Sequence, residues 1–122
     1  METKTVNNKQ EYTFDAANEV LGRLASNVAQ ILQGKTEIGY EPRLPGTATV
    51  IIKNAAKIKV TGNKATAKVY YHHTGYQGHL REQIFKEFQA KDPRKIIQFA
   101  VYNMLPKNRL RPGRMKRLKV TA

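Results

Sequence analysis

Residues 12–34 read YTFDAANEVLGRLASNVAQILQG, and this stretch decides the fold. Tyr12-Thr13-Phe14 alternates and then meets Asp15, the pattern of a short strand that ends in a turn. Farther on, Val20, Leu21, Leu24, Val28, Ile31 and Leu32 recur at helical spacing and form one apolar stripe. Asn18 is placed to be the N-cap, and Gly34 to be the residue just past the end, where a left-handed backbone stops a helix. Gly22 sits inside this helix at a cost in propensity, which close packing against a neighbour would explain. A strand followed at once by a helix with one face to bury opens an α/β fold.

The pattern continues on the C-terminal side. Residues 39–47 (GYEPRLPGT) are rich in glycine and proline and read as a loop. Thr49–Lys53 (TVIIK) is β-branched and apolar and reads as a buried strand, while 57–61 (KIKVT) alternates and reads as another. Gly62-Asn63 signals a turn. Residues 68–73 (KVYYHH) look extended until Gly75 and Gly78 break the chain, as in an extended hairpin. Leu80, Ile84, Phe85 and Phe88 predict a short amphipathic helix. Asp92-Pro93 opens another, with Asp92 as N-cap and Pro93 at the first helical position. Its stripe is Ile96, Ile97, Ala100, Val101, Met104 and Leu105, and Pro106 stops it. An irregular basic arm then leads to a final strand at Leu118–Val120. The alternation predicts an α/β sheet with mostly parallel strands. Residues 1–122 fit one domain, with 1–11 as a flexible N-terminal extension.

Composition narrows the function. The 122 residues include no cysteine, which excludes disulfides and thiolate metal sites and suits a reducing compartment. The opening METKTVNNKQEY lacks the apolar core of a signal peptide, and the longest apolar runs are a few residues. The expectation is a soluble intracellular protein with no membrane partner. Net charge is +13, and it is segregated. Residues 1–50 carry 5 bases and 6 acids, whereas 51–122 carry 17 bases and 3 acids. No acid lies between Glu41 and Glu82, nor after Asp92. Crowded positive charge costs stability unless a polyanion neutralises it, and nucleic acid is the usual polyanion. A solvated basic surface kept for solubility would not require the segregation.

Catalytic chemistry is poorly provided for. His72, His73 and His79 have no cysteine or carboxylate beside them to complete a tetrahedral metal site, and adjacent residues of a strand point to opposite faces. One histidine is expected to pack inward and the other to meet phosphate or a base. The only serine, Ser26, lies inside the first helix, and no nucleophile elbow or phosphate-cradling glycine motif is present. Gly34-Lys35-Thr36 resembles the end of a P-loop but follows a helix instead of opening one. No catalytic residue, metal, cofactor or small-molecule substrate is therefore expected.

Two stretches suit RNA. In GNKATAKVYYHHTGYQGHLR (62–81), Lys64, Lys68 and Arg81 can pair with phosphate. Tyr70, Tyr71, His72, His73 and Tyr76 can stack on bases or pack on sugars, Gly62, Gly75 and Gly78 let the backbone approach a ligand closely, and Asn63 is counted among the contacts. Tyrosines in the core of a plain hairpin are the competing reading. The second stretch is the tail MLPKNRLRPGRMKRLKV, with Lys107, Arg109, Arg111, Arg114, Lys116, Arg117 and Lys119. Pro106, Pro112 and Gly113 keep its first part from being regular helix, and an irregular basic arm suits crevices of folded RNA better than a DNA groove. Arg23 and Lys35 are added as occasional contacts from the less charged half.

Several blocks are familiar together: Asp15-Ala16 with Leu21-Gly22-Arg23-Leu24-Ala25, Asn54-Ala55 with Val60-Thr61-Gly62-Asn63-Lys64, Lys68 with Tyr70-Tyr71-His72-His73-Thr74-Gly75, and Met104-Leu105-Pro106-Lys107 with Leu118-Lys119-Val120. Over about residues 12–120 the chain resembles the ribosomal large-subunit protein L-thirteen family in its bacterial or organellar form. The resemblance implies a three-layer α/β/α fold with a four-stranded parallel sheet. It implies binding to 23S-type ribosomal RNA, a role early in large-subunit assembly, neighbouring ribosomal proteins as partners, and no enzyme activity. It places the protein on the ribosomes of the cytoplasm or of an organelle. Departures from the family pattern are Leu44-Pro45-Gly46-Thr47-Ala48 in a loop that usually carries aspartates, Gln33, His79 and Arg111-Pro112. The alternative reading is a free regulatory RNA-binding protein that acts on a messenger or transfer RNA, and a small nuclease is a distant third.

Overall fold

The computed structural model describes the backbone of residues 2–6 and 9–122, and side chains from Glu11 onward. Strands β1 (Glu2–Val6), β2 (Lys9–Asp15), β3 (Thr49–Lys53) and β6 (Leu118–Val120) form one sheet in the order β1-β2-β3-β6. Three of them are parallel: β2 pairs with β3 and β3 with β6. The fourth, β1, pairs antiparallel with β2, so the sheet is not the fully parallel set of four that the resemblance implies. Its place is in the stretch expected to be a flexible extension.

The strand expected at 57–61 is the physical reason for the difference. It shrinks to a single parallel bridge between Val20 and Lys59, preceded by a 3₁₀ turn over Ala55–Lys57. The Lys59 N–H donates to the Glu19 carbonyl and the Leu21 N–H to the Lys59 carbonyl, so this segment is tied to the start of a helix and does not extend the ladder.

That helix is α1 (Leu21–Gln33). Its buried residues include Leu21, Leu24, Val28, Ile31 and Leu32 of the predicted stripe. Gly34 closes it with φ 83°, where its N–H reaches the Gln30 and Ile31 carbonyls. The N-cap position belongs to Val20, while Asn18 adopts φ 61° in the preceding turn. Gly22 is exposed, and a Cβ there would meet nothing within 4 Å, so packing inside the chain does not explain it.

The middle of the chain builds a short helix α2 (Lys64–Ala67), a separate hairpin of β4 (Val69–His73) and β5 (Leu80–Ile84), and helix α3 (Phe85–Lys91). Leu80 and Ile84, expected in a helix, are the two ends of β5, and the helix begins only at Phe85. Helix α4 (Pro93–Met104) starts after Asp92 with Pro93 in its first turn, as predicted. The basic arm is less irregular than expected, because Arg111–Lys116 forms helix α5. Pro112 falls in its first turn, where a missing N–H costs nothing.

Helices α1 and α4 pack on each other, and they reach the sheet at β3 and β6 respectively. Val50 and Ile52 of β3 are fully buried on one face, while Thr49 and Ile51 on the other are half-covered. The buried apolar side chains form one cluster around Val28, Leu32, Ile52, Ile96, Ile97 and Val101.

Candidate nucleic-acid interface

The hairpin sorts the aromatic and basic residues of 62–81 onto two faces. Its register places Tyr71 opposite Glu82 and His73 opposite Leu80 on one face, with Tyr70 opposite Gln83 and His72 opposite Arg81 on the other. Tyr71 is 64% exposed. Tyr70 is half-buried, stacked on Phe88 with ring centroids 4.9 Å apart, and burial raises the pKa of its hydroxyl. Its ring is therefore packing, the competing reading for the hairpin tyrosines, and Lys68 holds its Nζ 5.5 Å from the same ring. Lys64, Lys68 and Arg81 are exposed, as are Gly62, Asn63 and Gly75 in the flanking turns. Both His72 and His73 are exposed, so neither packs inward. His73 accepts the Gly75 N–H at Nδ1, 3.0 Å, which fixes the turn. Among the described residues no three His, Cys, Asp or Glu side chains stand where they could hold a metal ion.

The C-terminal arm divides its seven bases. Lys107, Arg109, Lys116 and Lys119 are exposed. Arg111 lies over Tyr102, its guanidinium carbon 3.7 Å from the ring centroid, and donates to the tyrosine hydroxyl at 2.8 Å. That pair pins the arm to α4 and presents a planar cation at the surface. Tyr102 was not legible as part of the site, since its partner is nine residues away in another element.

Arg114 and Arg117 behave differently from the other five. Arg114 is only 2% exposed. Its Nε and Nη2 donate to the carbonyls of Pro45 and Leu44. Arg117 is half-buried and donates to the carbonyls of Ala48 (2.6 Å) and Leu32 (2.9 Å), and to that of Pro45. Its guanidinium is held below its usual pKa, first by burial and then by the nearby charge of Arg114, against the opposing pull of Glu37. The two arginines clamp residues 44–48. Gly46 completes the clamp at φ 81°, where a Cβ would stand 3.1 Å from the Leu32 carbonyl oxygen. The donors named are engaged inside the protein, which ties Arg114 and Arg117 to this loop. The signal that could have revealed them is their spacing of three on one face of a helix, which Pro112-Gly113 concealed.

Arg23 and Lys35 are both exposed, Arg23 beside the open Gly22 on the outer side of α1 and Lys35 just past its end. The hairpin is joined to α2 and α3, whereas α5 is joined to α1, α4 and β6. The bases thus form two patches on different elements. Exposed cations on firm secondary structure can hold phosphates in register, with Tyr71 available to stack.

Comparisons with known proteins show the family. Residues 9–122 match the family described as Ribosomal protein L13. A protein of Thioalkalivibrio sulfidiphilus, named Large ribosomal subunit protein uL13, is 46% identical over 111 residues, covering 91% of this chain and 78% of the relative. The protein of the same name from Buchnera aphidicola subsp. Schizaphis graminum is 48% identical over 109 residues, covering 89% and 77%. That of Herpetosiphon aurantiacus is 46% identical over 108 residues, covering 88% and 75%.

Proposed function

The chain belongs to the ribosomal protein L13 family, and from that premise we propose that it binds ribosomal RNA and supports assembly of the large ribosomal subunit. It is a structural protein of that subunit and not an enzyme. The RNA is of the 23S type, contact comes early in assembly, and neighbouring large-subunit proteins are partners. The proposed contacts are the exposed members of the two basic patches. The first patch is Lys64, Lys68, Tyr71, His72, His73 and Arg81, with the backbone of Gly62, Asn63 and Gly75. The second is the exposed Lys107, Arg109, Lys116 and Lys119 with the half-buried Arg111, and Arg23 and Lys35 are occasional further contacts. The single observation that carries this reading is the segregation of charge, 17 bases against 3 acids in residues 51–122, together with the exposure of the bases named. On the same premise the architecture is one three-layer domain.

Sucrose-gradient fractionation at physiological salt tests the proposal. The chain should sediment with large subunits and with their precursors. Recovery only at the top of the gradient would overturn it in favour of a free regulatory RNA-binding protein.

A further inference from the structure

We propose that Tyr102 is a positioning residue for RNA binding: it holds the Arg111 guanidinium in place for a backbone phosphate of the RNA. This rests on the ribosomal RNA reading above and deepens it, since Tyr102 is not among the contacts named there.

Arg111 opens α5 on a backbone that is fixed ahead of it. The Asn108 N–H donates to the Pro106 carbonyl at 3.0 Å, the Leu110 N–H to Asn108 Oδ1 at 3.0 Å, and the Arg111 N–H to the Asn108 carbonyl at 3.3 Å. Its side chain is then held by one residue of another helix. The guanidinium carbon stands 3.7 Å from the Tyr102 ring centroid, and Nη2 donates to the hydroxyl of the same ring at 2.8 Å. Tyr102 is 37% exposed, so the pair stands at the surface.

This tether leaves the charge unspent. Among the described residues, Nε and Nη1 of Arg111 donate to no protein atom, and no carboxylate pairs with its guanidinium. No acid follows Asp92 in the chain. A carboxylate would fix the guanidinium and neutralise it at once, as Glu41 does for Arg43 at 2.7 Å. A tyrosine fixes the guanidinium and leaves its positive charge in force. Free N–H donors on a full charge suit phosphate oxygens. Side-chain freedom already given up in the free protein is not lost again on binding, so the tether raises affinity without adding a contact.

Filter binding of the full chain to a transcript of large-subunit ribosomal RNA, across a salt series, tests this with R111A, Y102L, Y102F and the double variant Y102L/R111A. R111A should weaken binding and lower the logarithmic salt slope by about one. Y102L should weaken binding about threefold to tenfold at the parent's slope, because the charge remains but is no longer held. Y102F keeps the ring face and should lose less. In the R111A background, Y102L should cost nothing further. Melting should stay close to that of the parent, because α5 keeps the Arg114 bonds to the Leu44 and Pro45 carbonyls. Equal losses from Y102L with and without Arg111 would make Tyr102 an RNA contact or a folding residue and overturn the proposal. Unchanged RNA binding by R111A would overturn it too, and would leave Arg111 for a carboxylate of a neighbouring protein. In both cases the RNA reading stands if Lys64→Ala and Lys68→Ala weaken binding, and a parent chain that does not bind the transcript would overturn both.

Discussion

At the scale of single residues, identical side chains in one basic tail do different work. Arg114 is buried and its guanidinium is satisfied by the loop carbonyls of Leu44 and Pro45, so its removal empties a buried site and unties the loop. Arg114→Ala should therefore cost about 2–4 kcal/mol in urea unfolding, while RNA affinity per folded molecule stays near that of the parent. Lys64→Ala and Lys68→Ala should do the reverse, with stability held within about 0.5 kcal/mol and RNA binding weakened. Arg43→Ala removes the same charge from a residue already paired with Glu41 at 2.7 Å, and it should change RNA binding least. A stable Arg114→Ala protein with lost RNA binding would return Arg114 to the interface. Asp15 makes a second residue-level prediction. Its carboxylate accepts the Asn54 side-chain amide and the Ala17 N–H, both at 2.9 Å, and these bonds, Asn54 first, hold its pKa below the usual value. A lowered folded-state pKa means that its stabilisation is present above the ordinary carboxylate range and is lost as pH falls through the folded value. The difference in Tm between the parent and Asp15→Ala should be open at pH 7 and should close as pH drops below about 4. A gap that stays unchanged in strong acid would refute the hydrogen-bonded carboxylate.

At the scale of elements, the predicted stripes and the buried faces agree for α1, but α4 differs at one end. Val28, Ile31 and Val101 are buried, whereas Met104, expected in the core, is 42% exposed and its Sδ accepts from the Ser26 hydroxyl at 3.5 Å. The last turn of α4 overhangs the cluster, and Leu105 beyond it turns inward instead. Substitution of Val28, Ile31 or Val101 by alanine should cost about 2–4 kcal/mol, the valines at the low end. Met104→Ala should cost less than about 1 kcal/mol, since it leaves no enclosed cavity. Chemical denaturation of the four variants checks the ranking, and a Met104 loss equal to that of Ile31 would mean that this turn packs more tightly than described. Helix α5 shows why an element was missed. Pro and Gly together usually mark a break, yet a proline in the first turn is tolerated because that turn needs no N–H donor.

At the scale of the whole molecule, the net charge of +13 makes ionic strength the governing variable. If the two patches together neutralise roughly six to ten phosphates, affinity for RNA should fall by about 10³–10⁵ between 50 and 200 mM salt. Each lysine lost from a patch should lower the logarithmic slope by about one. Filter binding across a salt series measures both quantities. A nearly flat response would remove the electrostatic basis of the interface. The Arg114 and Arg117 clamp also acts at this scale, because it fastens the C-terminal arm to the 44–48 loop across about seventy residues of chain.

Sequence by itself determined what depends on local repetition and on totals. The 3.6-residue stripe of α1, its stop at Gly34, the β-branched run of β3 and the segregation of charge all follow from near neighbours, because helices and strands are closed by short-range periodicity. It also separated the basic half from the nearly neutral one. Tertiary structure alone decided which cations face water. Arg114 and Lys116 are two residues apart in one helix, yet one meets the Leu44 carbonyl and the other solvent. It decided likewise that 57–61 ends as a bridge to Val20, that Tyr70 stacks on Phe88, and that all three acids of the basic half line one groove. Each of these depends on a partner far along the chain, and side-chain type and spacing do not encode the distance between elements that have not yet been packed together.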